Sequence, residues 1–503
     1  MQPKQTVNRG GLQTTLDVLP FGTEEEMRQN LKMSRRERKV LPLNVTRKGL
    51  YSDVIRIAGP ALAEMLLSSL VRMVDQMMVG TIGLDAIAAV GLVLQPSFLM
   101  MSVIMALNTG TTAIIARARG AGESDKADGI LRQSLVLCGL ISLVVMVLGT
   151  VFARAMVTFM AAGEISQSII DQGVIYLQIQ TVSFIIPSLS MTITAALRGT
   201  GNSKPAMIYN IAANLINIVF NYLLINGIWI FPKWGVAGAS VATVIGQAAG
   251  LIMAFNYISK GKYFLRLRIN AKNIFVFEKS VISGICNVGI PAMVEQLVMR
   301  VGVVIFTRTI AGLGDVSYAT FNITLSIQSL SLMNGQAFGT SATSLVGQSI
   351  GKRRLDMADQ YSAACRRVAQ LISVFLAALF AIFATQWLSL FLAKPLTPEA
   401  AAANAEVLKI GVTLMYMVAI IQPIQCSQFV VGGVLRGAGD TRITALIILF
   451  TTVGLRTTFA WLMVNVLGWG LIGAWGAMII DQTIRTLLFF ARYNQGKWKT
   501  IRL

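Results

Sequence analysis

Residues 60–83 read PALAEMLLSSLVRMVDQMMVGTIG, and residues 291–314 read PAMVEQLVMRVGVVIFTRTIAGLG. Both open Pro-Ala-x-x-Glu, and both close on a glycine at the same distance, Gly83 and Gly314. Each is apolar over most of its length. At ~1.5 Å per residue, either one as a helix reaches the ~30 Å needed to cross the hydrocarbon of a bilayer. The chain carries one transmembrane element twice.

Further pairs follow in the same order. Gly110-Thr111-x-Ala113 recurs as Gly339-Thr340-x-Ala342, and Gly122 as Gly351. Leu197-Arg198-Gly199-Thr200-Gly201 recurs as Leu435-Arg436-Gly437-Ala438-Gly439, Gly235-x-x-Gly238-Ala239 as Gly470-x-x-Gly473-Ala474, and Gln247 as Gln482. The separation stays between 229 and 238 residues, so one ancestral unit was duplicated. The glycines also have a packing role, because small residues let transmembrane helices approach closely and Leu-Arg-Gly-x-Gly is a fitting helix stop.

Only 13% of the 503 residues are charged, against about 25% in soluble domains, and 54% are apolar, which excludes a soluble fold of this size. Apolar blocks at 54–80, 86–107, 129–153, 168–196, 205–230, 235–258, 281–311, 316–340, 362–386, 405–434, 443–466 and 469–491 each suffice for one crossing. The expected fold is an all-α polytopic membrane protein of twelve transmembrane helices in two pseudo-symmetric six-helix lobes. Residues 1–50 form an N-terminal tail, 51–256 the N-lobe, 257–279 a basic linker, 280–492 the C-lobe and 493–503 a C-terminal tail. An even number of helices per half starts both halves from the same side, the arrangement of parallel repeats in secondary transporters.

The net charge of +20 raises nucleic acid as a partner, but the basic residues alternate from loop to loop. Arg35, Arg36, Arg38 and Lys39 precede the first block, and every second connection then carries more: Arg117, Arg119 and Lys126; Arg198 and Lys204; the run from Lys260 to Lys279; Lys352, Arg353 and Arg354; Arg436 and Arg442; Lys497 and Lys499. The other connections hold only Arg154, Lys233, Arg308 and Lys394. The positive-inside rule then places both termini in the cytoplasm, in a cell (inner or plasma) membrane, and nucleic acid is not needed to explain the charge. Residues 1–50 read as a solvated, largely disordered arm. A contact of its basic run with anionic lipid is the alternative.

Cys138, Cys286, Cys365 and Cys426 have no ligand spacing and read as apolar fillers. The chain has no histidine, which removes imidazole bases and His-ligated metals together. With no nucleophile or paired-carboxylate motif either, an enzyme is disfavoured.

Pro60 followed by Asp75 in VDQMMVGTIG, LRGTGNSKP with its twin LRGAGDT, and NLINIVFNYLLI leading into GVAGASVAT resemble the MATE (multidrug and toxic compound extrusion) family over about residues 50–492. The resemblance implies two lobes with a cleft between them. It also implies secondary active efflux of small organic, often cationic, compounds in exchange for protons or sodium by alternating access. No cofactor is implied beyond the coupling ion. The implied partners are a drug or metabolite and membrane lipids, and the chain reads as a monomer.

A carboxylate at membrane depth is costly, which makes Asp75 the first candidate for function; an ion pair with Arg72, one turn away, is the structural alternative. In the resembling family the Asp of this motif binds the coupling ion with polar groups of two later helices. The matching positions are Asn217, Asn221, Thr243 and the carbonyl of Ala239. Asn214, Asn217 and Asn221 share one helical face, which also suits interhelical hydrogen bonding. Sodium wants several oxygen ligands and a proton needs only one desolvated carboxylate, so Asp75 suits either ion and is the metal ligand if the ion is sodium. Some members carry Asp where this chain has Asn221, so the cluster here holds one negative charge fewer.

The second lobe departs further, with Met299 and Gln425 where some branches carry acids, so coupling is placed in the first lobe. Glu295 mirrors Glu64 and reads equally as a structural or a coupling group. Asn322 and Ser326, and Gln422 and Gln425, are candidates to line a wet cleft or to pack by hydrogen bonds. Asp481 and Arg485, four apart, read as an internal ion pair. The alternative function is a flippase for lipid-linked precursors, which Arg72 and Arg300 keep open. A cysteine placed within 257–279 is expected to resist impermeant thiol reagents applied to intact cells and to react once the membrane is permeabilised. Efficient labelling from outside reverses the topology.

Overall fold

The computed structural model describes residues 14–32, 41–42, 45–161, 166–260, 264–267, 276–392 and 397–501, and among these no strand occurs. Two short helices, α1 (Thr15–Val18) and α2 (Glu24–Lys32), precede the long ones. The first half continues with α3 (Arg47–Gly80), α4 (Leu84–Gly120), α5 (Ser124–Val151), α6 (Ala153–Met160), α7 (Gln167–Val182), α8 (Ile185–Gly199), α9 (Ser203–Asn226) and α10 (Gly235–Ser259). The second half comprises α11 (Lys279–Ala311), α12 (Asp315–Gly351), α13 (Leu355–Ile382), α14 (Ala384–Ser389), α15 (Pro398–Gly437), α16 (Thr441–Leu449), α17 (Thr457–Trp461) and α18 (Gly470–Gln495). Wider π-helical turns, Phe450–Arg456 and Leu462–Val466, flank α17.

Nine of the described helices, counting Thr441–Val466 as one, are long and apolar enough to cross a membrane. The pair α7 and α8, bent by 51° at a short break, makes a tenth if counted as one span. The break has a local cause: the ring of Pro187 cannot accommodate the carbonyl of Ser183, four residues earlier. Two more long helices, the 37-residue α12 and the 26-residue α18, are more polar and complete the expected twelve. The protein is all-helical and polytopic.

The outward faces confirm the solvent. On α5 from Cys138 onward the buried positions are small or polar, Cys138, Ser142 and Gly149, while Leu140, Val144, Val147 and Leu148 are exposed. Burying apolar surface is worth ~25 cal/mol per Å² in water, so this inside-out pattern is stable only in lipid.

The chain forms two compact units, Gly59–Met293 and Thr15–Ala58 with Val294–Leu503. The divisions fall inside α3 and inside α11, each within three residues of a helix-interior proline, Pro60 or Pro291. A proline there removes one helical hydrogen bond, so the chain changes unit where its helix is weakest.

The backbone also corrects the register of the repeat. Gly83 (φ 145°) and Gly314 (φ 95°) precede α4 and α12, and positive φ returns at Gly122 (74°) and Arg353 (60°). The offset along this helix is therefore 231: Gly120 pairs with Gly351, Gly122 with Arg353, and Gly110 with Ser341. The motif matches Gly110/Gly339 and Gly122/Gly351 are two residues out of step. In the corrected register Thr112 matches Thr343, and their hydroxyls donate to the carbonyls of Ala195 (3.1 Å) and Gly433 (2.8 Å), themselves a pair at 238.

Residues 14–32 are helical and docked through Leu16 and Leu19 rather than disordered, while Glu24, Glu25 and Glu26 stay exposed. Thr23 and Glu26 form a capping box that starts α2, with the Thr23 amide donating to Glu26 Oε2 at 2.9 Å and the Glu26 amide to Thr23 Oγ1 at 3.1 Å. The segment is fixed in the second unit by Lys352, whose buried ammonium donates to the carbonyls of Leu16 (2.7 Å) and Asp17 (3.3 Å) and lies over the Phe21 ring. Asp53 Oδ2 accepts from the Thr15 amide and the Tyr361 hydroxyl, both at 2.8 Å. Arg35, Arg36, Arg38 and Lys39, the proposed lipid contact, lie outside the described residues. Lys352→Ala leaves buried carbonyls without their donor, at a cost of about 1–3 kcal/mol. The purified variant is expected to unfold a few degrees lower and to be cut by trypsin at Arg28 or Lys32 faster than the parent.

Candidate functional site

The site in the first unit begins with one face of α9. Asn210, Asn214 and Asn221 donate to Glu64 (2.8 Å), Ser68 (3.0 Å) and Asp75 (2.7 Å) on α3, and each pair is separated by 146 residues. A constant separation means that the two helices run parallel and in register, zipped by amides. Asn217 joins this face when its amide is oriented to satisfy its neighbours: the nitrogen donates to Asp75 Oδ1 (2.9 Å) and Oδ2 (3.2 Å), and the oxygen accepts from the hydroxyl (3.2 Å) and backbone amide (3.1 Å) of Thr243. The Thr243 hydroxyl is also 3.0 Å from the carbonyl of Ala239.

Asp75 is half-buried and held by Asn217 and Asn221, and Asn217 links it to Thr243, which in turn lies against Ala239. Arg72 is exposed and reaches the carboxylate through its field rather than through a hydrogen bond. Oδ1 of Asn221 is buried with no hydrogen-bond partner. Beside Thr243 lies a cavity of about 60 Å³, lined among others by Ser97, Met100, Gln180, Ser183 and Gln247, large enough for a few waters but not for a drug.

Glu64 and Glu295 have the same partner in each half. Glu64 Oε1 accepts from Arg198 at 2.8 Å, and Glu295 Oε1 from Arg436 at 2.9 Å. The arginines are those of the two Leu-Arg-Gly motifs, so the motif and the Pro-Ala-x-x-Glu motif recur because they pair with each other. Both glutamates are thus held by an arginine of their own unit.

The other candidates in the second unit do not converge. Asn322 and Ser326 are exposed and donate to carbonyls of their own helix. Gln425 accepts from Gln328 at 3.3 Å, and Gln422 is buried with neither amide atom hydrogen-bonded. Asp481 and Arg485 do pair, at 2.6 Å, but the carboxylate holds a second arginine, Arg456, also at 2.6 Å. The sequence reading missed Arg456, although a charge within the apolar block 443–466 was signal enough. It also missed Asn210, one turn before Asn214 on the same face.

A helical chain with lipid-suited outer faces and a carboxylate set among amides within a span is a multi-pass membrane protein. A family model described as MatE matches residues 60–223 and 291–462, about two-thirds of the chain. The chain belongs to the MATE family, whose members work by ion coupling and take no prosthetic group. It is 27% identical over 446 residues to an uncharacterized transporter of Bacillus subtilis, YisQ, covering 89% of this chain and 94% of that one. It is 26% identical over 453 residues to a probable multidrug resistance protein, NorM, of Thermotoga maritima, covering 90% and 93%. The fold matches a multidrug resistance MATE family transporter, solved in an outward-facing conformation, with a TM-score of 0.81 at 20% identity over 90% of this chain and 97% of that one.

Removing Arg436 leaves Glu295 buried without its partner, a loss of about 3–5 kcal/mol. Arg436→Leu is expected to lower the thermal midpoint of the purified protein strongly, and Glu295→Gln in the same chain to restore most of it. A double variant as unstable as the single would remove the pair from the core.

Proposed function

We propose that the chain is a secondary active exporter that moves small organic, often cationic, compounds out of the cell in exchange for protons or sodium, with Asp75 coupling the two flows. The observation that carries this reading is the Asp75 carboxylate held by the amides of Asn217 and Asn221 beside Ala239 and Thr243. An ionised carboxylate away from water is costly, and charge-assisted bonds from two amides offset part of that cost. The same cluster fits sodium: Asp75, the unpartnered Oδ1 of Asn221, the Thr243 hydroxyl and the Ala239 carbonyl supply an all-oxygen set. A proton needs Asp75 alone. A relative named as a probable multidrug resistance protein supports drug-like cargo. The distribution of basic residues supports cytoplasmic termini, and the paired motifs support 51–256 and 280–492 as the two lobes.

Bound to its ion, Asp75 is neutral and can be enclosed. Losing the ion inside the cell restores a charge that favours hydration and recruits a cationic substrate. Substrate and ion compete through one carboxylate, and each shifts the protein only by its differential affinity for the two states. One proton entering down ~100 mV and one unit of pH concentrates a neutral compound roughly 500-fold. A monovalent cation exchanged one for one moves no net charge, so only the chemical gradient drives it.

Asp75→Asn is expected to bind substrate with an affinity that no longer depends on pH or sodium. Its efflux against a gradient should fall at least tenfold at normal expression, whereas Glu295→Gln keeps part of its activity. Proteoliposomes under separately imposed proton and sodium gradients measure this. An Asp75→Asn protein that pumps as well as its parent takes Asp75 out of the coupling.

A further inference from the structure

The second unit holds a centre of opposite charge at the place corresponding to Asp75. Thr452 meets Met299 (3.9 Å) as Asn214 meets Ser68 (3.0 Å), and both matches keep the offsets of their helices, 238 and 231. Gly235 (φ 53°) and Gly470 (φ 54°) set the offset at 235 for the last helix of each half, so Asp481 stands for Gly246 and Arg485 for Gly250. In the first unit position 246 faces the ion cluster, since a methyl group there would meet Asn217 Cβ at 2.9 Å. The counterpart of Asp75 is Phe306, and the Arg456 guanidinium lies 5.9 Å from the centroid of that ring.

The centre is built as follows. Arg456 Nε donates to Asp481 Oδ2 at 2.8 Å, and its Nη2 lies 2.6 Å from the same oxygen. Arg485 Nη2 donates to both Asp481 oxygens, at 2.6 and 2.8 Å. Asp481 and Arg485 are fully buried, and Arg456 is 5% exposed. Arg485 is engaged further with the hydroxyls of Thr451 (2.8 Å) and Thr452 (2.6 Å), whereas Arg456 Nη1 makes no hydrogen bond among the described residues. The π-helical turn Phe450–Arg456 brings Thr451 and Arg456, five apart, to one side; such turns are frequent at functional sites.

Two guanidinium groups share one carboxylate, so the triad carries a net charge of +1 inside the unit. Glu295, whose field reaches Arg485, is already paired with Arg436. A buried charge without a counter-charge is unfavourable, and more so at membrane depth. A guanidinium with a free edge matches a planar or tetrahedral oxyanion. We propose that Arg456, positioned by Asp481 and backed by Arg485, accepts the carboxylate, sulfonate or phosphate group of a small organic solute, so that the cargo includes zwitterions and organic anions as well as cations. The proposal deepens the export reading and rests on it for the direction of transport, while binding stands apart from it.

The test is binding of carboxyfluorescein, by fluorescence anisotropy, to the full chain in phosphatidylcholine nanodiscs, with ethidium as the cationic control. The unmodified protein is expected to bind carboxyfluorescein. Arg456→Gln should weaken that binding at least tenfold and leave ethidium within twofold, which also reports that the variant is folded, and Arg456→Lys should recover most of it. In the unmodified protein benzenesulfonate should displace carboxyfluorescein and the neutral benzenesulfonamide should not, a comparison that needs no variant. Absent carboxyfluorescein binding, equal displacement by both competitors, or an unaffected Arg456→Gln overturns the proposal. So does displacement of the dye by phosphatidylglycerol added to the discs, which makes a lipid headgroup the occupant. Ethidium binding without transport would count against the export reading alone.

Discussion

Hydrocarbon offers no hydrogen bonds, so the polar groups inside the bilayer depend on the protein for partners, and much of this structure follows from that constraint. The backbone is satisfied within helices. The polar side chains are satisfied in rows, best seen in the amides of α9 that meet Glu64, Ser68 and Asp75 along α3 at a constant separation. Such a row fixes the rotation and the height of two parallel helices at once. Asp75 therefore has a defined position, which the proposed coupling role requires.

Duplication gave both units the same frame and left the interior free to diverge. The Glu–Arg pairs, the positive-φ glycines before the second and last helices, and the threonine hydroxyls on opposing carbonyls are kept in both copies. All of these make the frame. The residues that differ lie within the first helix and the last two helices of each half. There Asp481 and Arg485 replace Gly246 and Gly250, Arg456 replaces Ile218, and Phe306 replaces Asp75.

The spans, the duplication and the Asp75 cluster were legible because they are written in composition, repetition and a recognisable motif. What was not legible depended on distance. Glu64 and Arg198 are both plain in the sequence, but nothing in it says that residues 134 apart form an ion pair. Arg456 was hidden for a related reason, since Asp481 already had a partner four residues away on its own helix. The capping box Thr23–Glu26 was present in the letters, yet three adjacent glutamates read as a solvated run. The register of α12 was misjudged by two residues because Gly-Thr occurs in both helices two residues out of step, and the backbone angles at Gly122 and Arg353 set the offset at 231.

The sharing of α3 between the units has a consequence for the order of assembly during synthesis. Leu50, Val54, Ile57 and Ala58 complete their core with Leu345, Val346, Met357 and Leu435, and Asp53 bonds to Tyr361, 308 residues further on. At about 5–20 residues per second, the ribosome needs roughly 15–60 s to cover that interval. Throughout it the start of α3 has only the residues just before it, such as Thr15, Leu16 and Leu19, as native neighbours. The start of α3 is consequently among the last parts of its unit to settle, although it is made long before its partners.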